Sequence, residues 1–253
     1  MEEWAKLIVS VNETEVNKRP KGKDPIKEVE FWRQRHTALS TLYEQVNMPH
    51  VQKQIEVMQA LESGTCAQFN YAFAELTKLH VEAKDNVKFL TTLERHFKNI
   101  THGSFNAIQD TLPSMMNAIR MVWIISRHYN TDERMVPLME RIAMQISEKV
   151  QNEVNVKHIL TYTPEQSKKN IQEAKDVLES WQAQYNKVRQ RIEDSGTHIR
   201  WEFDRKRLFE QTNYMAKVCG DLHEVATVLD QFENAIYKSS KFIMSDSFLL
   251  SSY

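Results

Sequence analysis

Glycine and lysine build phosphate-binding loops, so their spacing tests this sequence for nucleotide chemistry. A P-loop sets two glycines a fixed distance apart and follows the second with Lys and then Ser or Thr, because backbone amides must surround the phosphates. None of the five glycines in the 253 residues has this spacing, and Gly22 and Lys23 are followed by Asp24. Dinucleotide-binding, serine-hydrolase and zinc-protease motifs are also absent from the sequence. We predict no catalytic residue, no cofactor-binding residue and no ATP hydrolysis by this chain.

The histidines and cysteines are dispersed along the chain. The closest approach to a cluster among the nine histidines is His96 with His102, and the neighbouring sequence supplies no convincing further ligands for a metal ion. We therefore predict no metal site. Cys66 and Cys219 are too few for a disulfide framework and are predicted to be small packing residues in a reducing compartment.

The overall charge is close to balance. The 33 basic and 34 acidic residues are interspersed and give a net charge of −1, so we predict neither a nucleic-acid nor a membrane partner. The longest apolar run, around Met115 to Ile125, is interrupted by Asn117 and Arg120 and is too short for a membrane span. Residues 1–16 lack the basic start of a signal peptide, which predicts a cytoplasmic location.

The scarcity of glycine predicts a mostly helical chain, because glycine weakens helices and is common in turns. Apolar residues recur at steps of three and four along three long segments, as on one face of a helix. The stripe in 65–100 is Phe69, Phe73, Leu76, His80, Ala83, Val87, Leu90 and Phe97. The next is Ile171, Ala174, Leu178, Trp181, Tyr185, Val188 and Ile192. The last is Met215, Val218, Leu222, Val225, Leu229, Phe232 and Ile236.

Residues suited to helix ends set the expected boundaries. Thr163 is a predicted N-cap, with Pro164 at the first helical position and Gln166 completing a capping box. The last long helix is expected to begin near Asp204 and to continue through Gly220. Shorter helices are predicted at 26–46, 49–62, about 112–128, and 132–150 after an Asn130 cap, with a connector at 151–162.

Short connections favour antiparallel neighbours that bury their apolar stripes against one another. The sequence therefore predicts an all-α fold, an elongated bundle of long antiparallel amphipathic helices with coiled-coil-like packing. We predict an N-terminal helix and polar linker at 1–24, a helical bundle at 25–236, and a weakly ordered, serine-rich segment at 237–253.

Three clusters have both a functional and a structural interpretation. A methionine-rich stretch could present an adaptable surface, but its helical spacing favours a packed core. Trp123, Arg127, His128 and Tyr129 form a second candidate surface, although Arg127 and His128 could equally be favourable charges at the C-terminus of a helix. The string Arg205-Lys206-Arg207 is interpreted as a solvated face. The methionine-rich stretch contains Met115, Met116, Met121, Met135, Met139 and Met144.

Three stretches carry a resemblance to a known family. The longest is KDNVKFLTTLERHFKNITHGSFNAIQDTLPSMMNAIRMVWIISRHYNTDERMVPLMERIA, from Lys84 to Ala143. The others are EVEFWRQRHTALSTLYEQVN at Glu28–Asn47 and RWEFDRKRLFEQTNYMAKVC at Arg200–Cys219. In this order, they resemble the N-terminal tail of axonemal dynein heavy chains.

The resemblance implies a helical stem without the motor. In this family the tail joins the heavy chain to intermediate and light chains and to other heavy chains, and the assembled complex attaches to the axonemal doublet microtubule. The implied location is the cytoskeleton of the ciliary axoneme. The family's ATPase ring, stalk and microtubule-binding tip lie downstream of the tail.

The resemblance leads to one expectation on the extent of the chain and to one alternative function. The family tail continues past the equivalent of Ile236, whereas this sequence ends soon after, in KSSKFIMSDSFLLSSY. A partial gene model, an alternative transcript and a truncated paralogue are all consistent with that end. The alternative function is a free-standing helical scaffold or adaptor derived from a dynein tail.

Overall fold

The computed structural model describes residues 2–61, 64–196 and 199–250, and within these ranges every regular element is a helix. A 3₁₀ turn, Thr91–Leu93, joins α4 to α5. The predicted all-α class is confirmed, while coiled-coil-like packing stays a prediction. The helices are α1 Glu2–Asn17, α2 Ile26–Val46, α3 Pro49–Ala60, α4 Thr65–Leu90, α5 Glu94–His102, α6 Phe105–Ile125, α7 Asp132–Glu153, α8 Val156–Thr161, α9 Pro164–Asp194 and α10 Arg205–Leu250.

The chain divides into two compact units. The first contains Met1–Lys98 and Ser114–Ile142, and the second contains Asn99–Pro113 and Ala143–Tyr253. The division predicted from the sequence, at residues 24 and 236, rests on family resemblance and composition and stays a prediction.

In the first unit, α4 packs against both α1 and α2. Helices α2 and α4 are antiparallel, because Ser40 bonds to His80 at 3.2 Å whereas Tyr43, further along α2, stacks on the earlier residue Phe73 with ring centroids 5.7 Å apart. The stripe predicted along 65–100 faces inward. Phe69, Leu76, Ala83, Leu90 and Phe97 are buried, and the residues between them on the stripe are half-buried.

In the second unit, α9 and α10 form an antiparallel hairpin. Lys168 near the start of α9 pairs with Asp230 late in α10, and Gln182 bonds to the earlier Asn213. The predicted α9 stripe is confirmed at every position: Ile171, Ala174, Leu178, Trp181, Tyr185, Val188 and Ile192 are all buried.

The cap predicted for α9 is present. Thr163 Oγ1 accepts a hydrogen bond from Gln166 N at 3.3 Å, and Pro164 occupies the first helical position. The Gln166 side chain donates instead to Asn170 Oδ1 at 2.9 Å, so only one arm of the predicted capping box forms. The hydroxyl satisfies a backbone donor that no carbonyl of the helix can reach.

Helix α10 begins where the sequence predicted and continues through Gly220. Asp204 Oδ1 accepts from Lys206 N at 3.1 Å and from Arg207 N at 3.3 Å, and so caps the helix. The helix extends to Leu250, through most of the segment predicted to be weakly ordered. The last residues of that segment, 251–253, lie outside the described ranges.

Two predictions around α6 and α7 are wrong. Helix α6 begins at Phe105 rather than near residue 112, since Ser104 O accepts the first helical bond from Ile108 N at 2.9 Å. Pro113 lies inside this helix, and both Pro113 and Gln109, the residue whose carbonyl loses its helical partner, are exposed. Asn130 is not the cap of α7, because Thr131 O accepts from Met135 N at 2.9 Å.

The predicted connector at 151–162 is also wrong, because α7 continues to Glu153 and the short helix α8 follows. Asn155 Oδ1 accepts from His158 N at 3.1 Å and caps α8. This single side chain allows the backbone to restart a helix after two non-helical residues.

Candidate interaction surfaces and the buried polar cluster

The predicted absence of a metal site rests on the sequence. Within 2–61, 64–196 and 199–250, no three His, Cys, Asp or Glu residues converge on a site that could hold a metal ion. Of the two histidines considered, His96 is buried and His102 is exposed. Burial, together with the nearby Arg95, lowers the pKa of His96, which favours the neutral ring.

In the described part of the chain, no helix is long and apolar enough to cross a bilayer.

A buried carboxylate, Glu28 on α2, organises the polar interior of the first unit. Its Oε1 accepts hydrogen bonds from Trp32 Nε1 at 2.9 Å and from Tyr129 OH at 2.8 Å. Its Oε2 forms an ion pair with the Arg141 guanidinium on α7, which also donates to Pro20 O at 2.9 Å. The cluster therefore ties α2, α7, the segment before α7 and the α1–α2 loop to one charged group.

The environment of Tyr129 follows from this cluster. Its side chain is fully buried, and burial followed by the negative charge of Glu28 raises the pKa of its hydroxyl well above the ordinary value. A neutral hydroxyl is required for the observed geometry, since only the protonated form donates to a carboxylate. Tyr129 is therefore a core residue rather than part of the predicted surface, and Trp123 is buried as well.

Two further guanidinium groups lie over the Trp32 ring. Arg134 Cζ lies 4.7 Å from the ring centroid and Arg35 Cζ lies 5.3 Å from it. Arg134 pairs with Glu82 of α4 at 2.6 Å. Arg35 is only 4% exposed, and its closest carboxylate, Glu15 of α1, is 4.0 Å away. Burial lowers the pKa of Arg35, with Glu82 and Glu15 acting in the opposite direction.

A half-buried histidine pair bridges α2 and α4. The His36 and His80 rings are stacked with centroids 5.6 Å apart, and Ser40 Oγ lies 3.2 Å from Nε2 of each ring. The Tyr43 ring stacks on His80 at 4.5 Å. One hydroxyl can accept from one neutral ring and donate to the other, an arrangement that requires at least one unprotonated Nε2.

The histidine pair should make the folded state sensitive to mild acid. Burial, followed by the charges of His36 and Lys84, lowers the pKa of His80 below its ordinary value of 6.5, while Glu44 acts in the opposite direction. Because the unfolded chain then binds more protons than the folded chain, the free energy of unfolding should fall as pH decreases below about 6.5. Urea denaturation between pH 7.5 and pH 5, followed by far-UV circular dichroism, measures this dependence.

The variant His80→Phe supplies the control for this prediction. Phenylalanine can still stack on Tyr43 but does not titrate, so the variant should lose less stability between pH 7.5 and pH 5 than the natural chain. His96 has a lowered pKa as well and should leave the same residual dependence in both proteins. An equally steep loss in the variant would show that His80 does not carry the effect.

The methionine-rich segment is mainly core. Four of its members, Met115, Met116, Met135 and Met139, have no exposed surface. Met121 is exposed and Met144 is half-buried, so the packing interpretation holds for the segment except at Met121.

The exposure of the two cysteines and of the basic string agrees with the roles predicted for them. Cys219 is buried and Cys66 is half-buried, as expected of packing residues, and Arg205, Lys206 and Arg207 are exposed, as expected of a solvated face. Burial raises the pKa of the Cys219 thiol to about 11, which favours the unreactive thiol form.

The clearest uncovered apolar surface in the second unit lies on α10. In the predicted stripe, Met215 and Leu222 are buried and Val218 is half-buried, so its first part packs inside the unit. Further along the helix an apolar face is exposed, which we call the α10 stripe. It consists of Val225, Val228, Phe232 and Ile236, which are 45%, 63%, 63% and 54% exposed. Such spacing of apolar side chains is typical of a helix face that packs against another helix.

Comparison with known proteins connects this architecture to a family. Residues 1–245 match the family described as dynein heavy chain, N-terminal region 1. The chain is 48% identical over 244 residues to dynein axonemal heavy chain 10 of Homo sapiens. It is 47% identical over 249 residues to the dynein-1-alpha heavy chain of the flagellar inner arm I1 complex of Chlamydomonas reinhardtii.

These alignments cover nearly all of this chain but little of its relatives. They include 96% and 98% of the chain, and only 6% of the human protein and 5% of the algal protein. The dynein-1-beta heavy chain of the same algal complex is 27% identical over 208 residues. The match to the family is continuous over the helices of both units, and the chain therefore belongs to the dynein heavy chain family, within its N-terminal region 1.

Proposed function

We propose that this chain is a non-catalytic tail segment of an axonemal dynein heavy chain, located in the ciliary axoneme. It acts as a helical scaffold through which the heavy chain assembles with intermediate chains, light chains and other heavy chains, and attaches in the dynein complex that carries out microtubule-based ciliary movement. The observation that carries this proposal is the family match over residues 1–245, together with the high identity to axonemal heavy chains.

The proposal assigns motor activity to the remainder of a complete heavy chain. The sequence has no P-loop, and the chain spans about a twentieth of the length of the relatives it matches. The purified chain is therefore expected to hydrolyse ATP no faster than buffer. Hydrolysis that scales with protein concentration and survives further purification would contradict the assignment.

The α10 stripe supports a scaffold role, because exposed apolar residues at helical spacing can be covered by a partner helix. The test uses the tagged 253-residue chain as bait in an extract of ciliary axonemes. Dynein intermediate chain is expected among the retained proteins. The double variant Val228→Glu/Phe232→Glu, which places two charges on the stripe, should retain markedly less of it.

A matched control lies on the opposite side of the same helix. Asn234 and Lys238 are exposed, and Asn234→Asp/Lys238→Gln lowers the net charge by the same amount as the stripe variant. This control should retain intermediate chain as the natural chain does. If the natural chain is a monomer that retains no axonemal protein, the tail function is wrong, and a free-standing helical adaptor becomes the better description.

A further inference from the structure

The α1–α2 loop and the first two residues of α2 concentrate positive charge that the rest of the chain does not show. Residues 18–27 contain five basic residues and one acidic residue, whereas the whole chain has a net charge of −1. We call this segment the basic loop; its cations are Lys18, Arg19, Lys21, Lys23 and Lys27. A local excess of this size attracts anionic groups over distances of roughly 10 Å at moderate salt.

The backbone of the basic loop is held in place by the polar cluster beneath it. Arg141 Nη2 donates to Pro20 O at 2.9 Å while the same guanidinium pairs with buried Glu28. Asp24 Oδ1 accepts from Ile26 N at 2.8 Å and fixes the turn into α2. Gly22 has a φ of +98°, a conformation that other residues adopt only with strain. Because this geometry exists before any ligand arrives, less ordering entropy is lost on binding.

The loop forms one wall of a depression of about 340 Å³. An aromatic side chain, Phe31, forms a half-buried apolar part of it. Polar and charged side chains complete the lining: Lys18, Arg19, Lys21, Lys27, Glu30 and Gln34. The site thus combines several cations with one apolar surface.

Part of the positive charge is already paired within the chain. Lys18 pairs with Glu15, and Lys27 pairs with Glu30 at 2.7 Å. Lys21 and Lys23 are exposed and form no ion pair with any residue that the structure describes. These two ammonium groups are therefore available for an external anion at no cost in internal pairing.

The chemistry favours carboxylates on a polypeptide over a phosphate polymer. The Glu30 carboxylate, which pairs with Lys27, interrupts the positive charge of the depression and so disfavours an unbroken row of phosphates. Phe31 offers a contact for an apolar side chain, which nucleic-acid backbones and lipid headgroups lack. The rest of the sequence has 28 basic and 33 acidic residues, and this excess of negative charge disfavours a long polyanion or an anionic membrane.

We propose that the basic loop and Phe31 form a docking site for a short acidic polypeptide segment that carries several carboxylates and an apolar side chain. The site does not rest on the tail function, because it is defined by the loop itself and can be tested with the purified chain. A failure of the site would therefore leave the tail assignment unaffected.

The test measures fluorescence anisotropy of the labelled peptide Glu-Glu-Glu-Leu-Glu-Glu with the 253-residue chain at low and moderate salt. The natural chain should bind the peptide, more weakly as salt increases, and should bind the glutamine counterpart at least about tenfold more weakly. Lys21→Gln/Lys23→Gln should weaken binding about tenfold, because it removes the two available cations. Circular dichroism should show unchanged helix content and an unchanged Tm for this variant.

The control Lys187→Gln/Lys217→Gln removes the same charge from two exposed lysines outside the loop and should change binding less than about twofold. Equal weakening by both double variants would overturn the proposal. A single-stranded oligonucleotide, or vesicles with anionic headgroups, that bind more tightly than the peptide with the same dependence on Lys21 and Lys23 would overturn the assignment to an acidic polypeptide.

Discussion

Glu28→Gln is expected to lower the free energy of unfolding by about 3–5 kcal/mol, the usual cost of removing one partner from a buried ion pair. Glutamine is similar in shape to glutamate and can still accept from Trp32 and Tyr129. It leaves the Arg141 guanidinium, which is 13% exposed, without a counter-charge. Urea denaturation of the purified chain, followed by far-UV circular dichroism, measures the loss.

An ion pair on the same helix provides the control. Glu30 pairs with Lys27 across an exposed surface, so Glu30→Gln should cost less than about 1 kcal/mol. The double variant Glu28→Gln/Arg141→Gln should be more stable than the sum of its single variants predicts, because neither charge is then left alone. Additive effects would show that the two groups do not depend on each other.

Trp181→Ala is expected to cost about 3–5 kcal/mol, because it removes one of the largest fully buried side chains and leaves a cavity in the second unit. Trp181 lies in the middle of the α9 stripe, and α9 packs against α10. Denaturation measures the total loss, and hydrogen–deuterium exchange should show faster amide exchange in both helices of the hairpin.

Trp181→Phe separates the contribution of packing to the free energy of unfolding from the contribution of the indole N–H. Trp181 Nε1 is buried and forms no hydrogen bond with a described residue, so phenylalanine removes a buried donor while filling much of the space. This variant should cost only about 1–2 kcal/mol. Equal losses for the alanine and phenylalanine variants would contradict an account based on cavity volume.

The periodic features of the fold could be predicted from the sequence. The α9 stripe is buried at every predicted position, and Thr163 caps the helix as expected. Both results depend on neighbours a few residues away, since helical geometry places side chains three and four positions apart on one face. The cap of α8 was missed although its signal was present, because Asn155 precedes His158 at the spacing of a local side-chain bond.

The polar cluster could not be predicted in this way. Glu28 meets Tyr129 and Arg141 across separations of 101 and 113 residues, and neither spacing has a periodic signature. Tyr129 was interpreted as part of a surface because it follows a helix end, yet it lies in the core. The basic loop likewise appeared as a polar linker, since its fixed geometry depends on a distant arginine.

The sequence by itself determined that this chain is helical, where most of its apolar stripes lie, and to which family it belongs, because helices and family similarity are recorded in short-range patterns and residue identities. Only the tertiary structure decided which charges are buried together and which apolar residues of α10 stay exposed. Those outcomes depend on which distant helices pack together. Whether a charge can be buried depends on whether the fold brings an opposite charge next to it, because an unpaired buried charge is strongly destabilising.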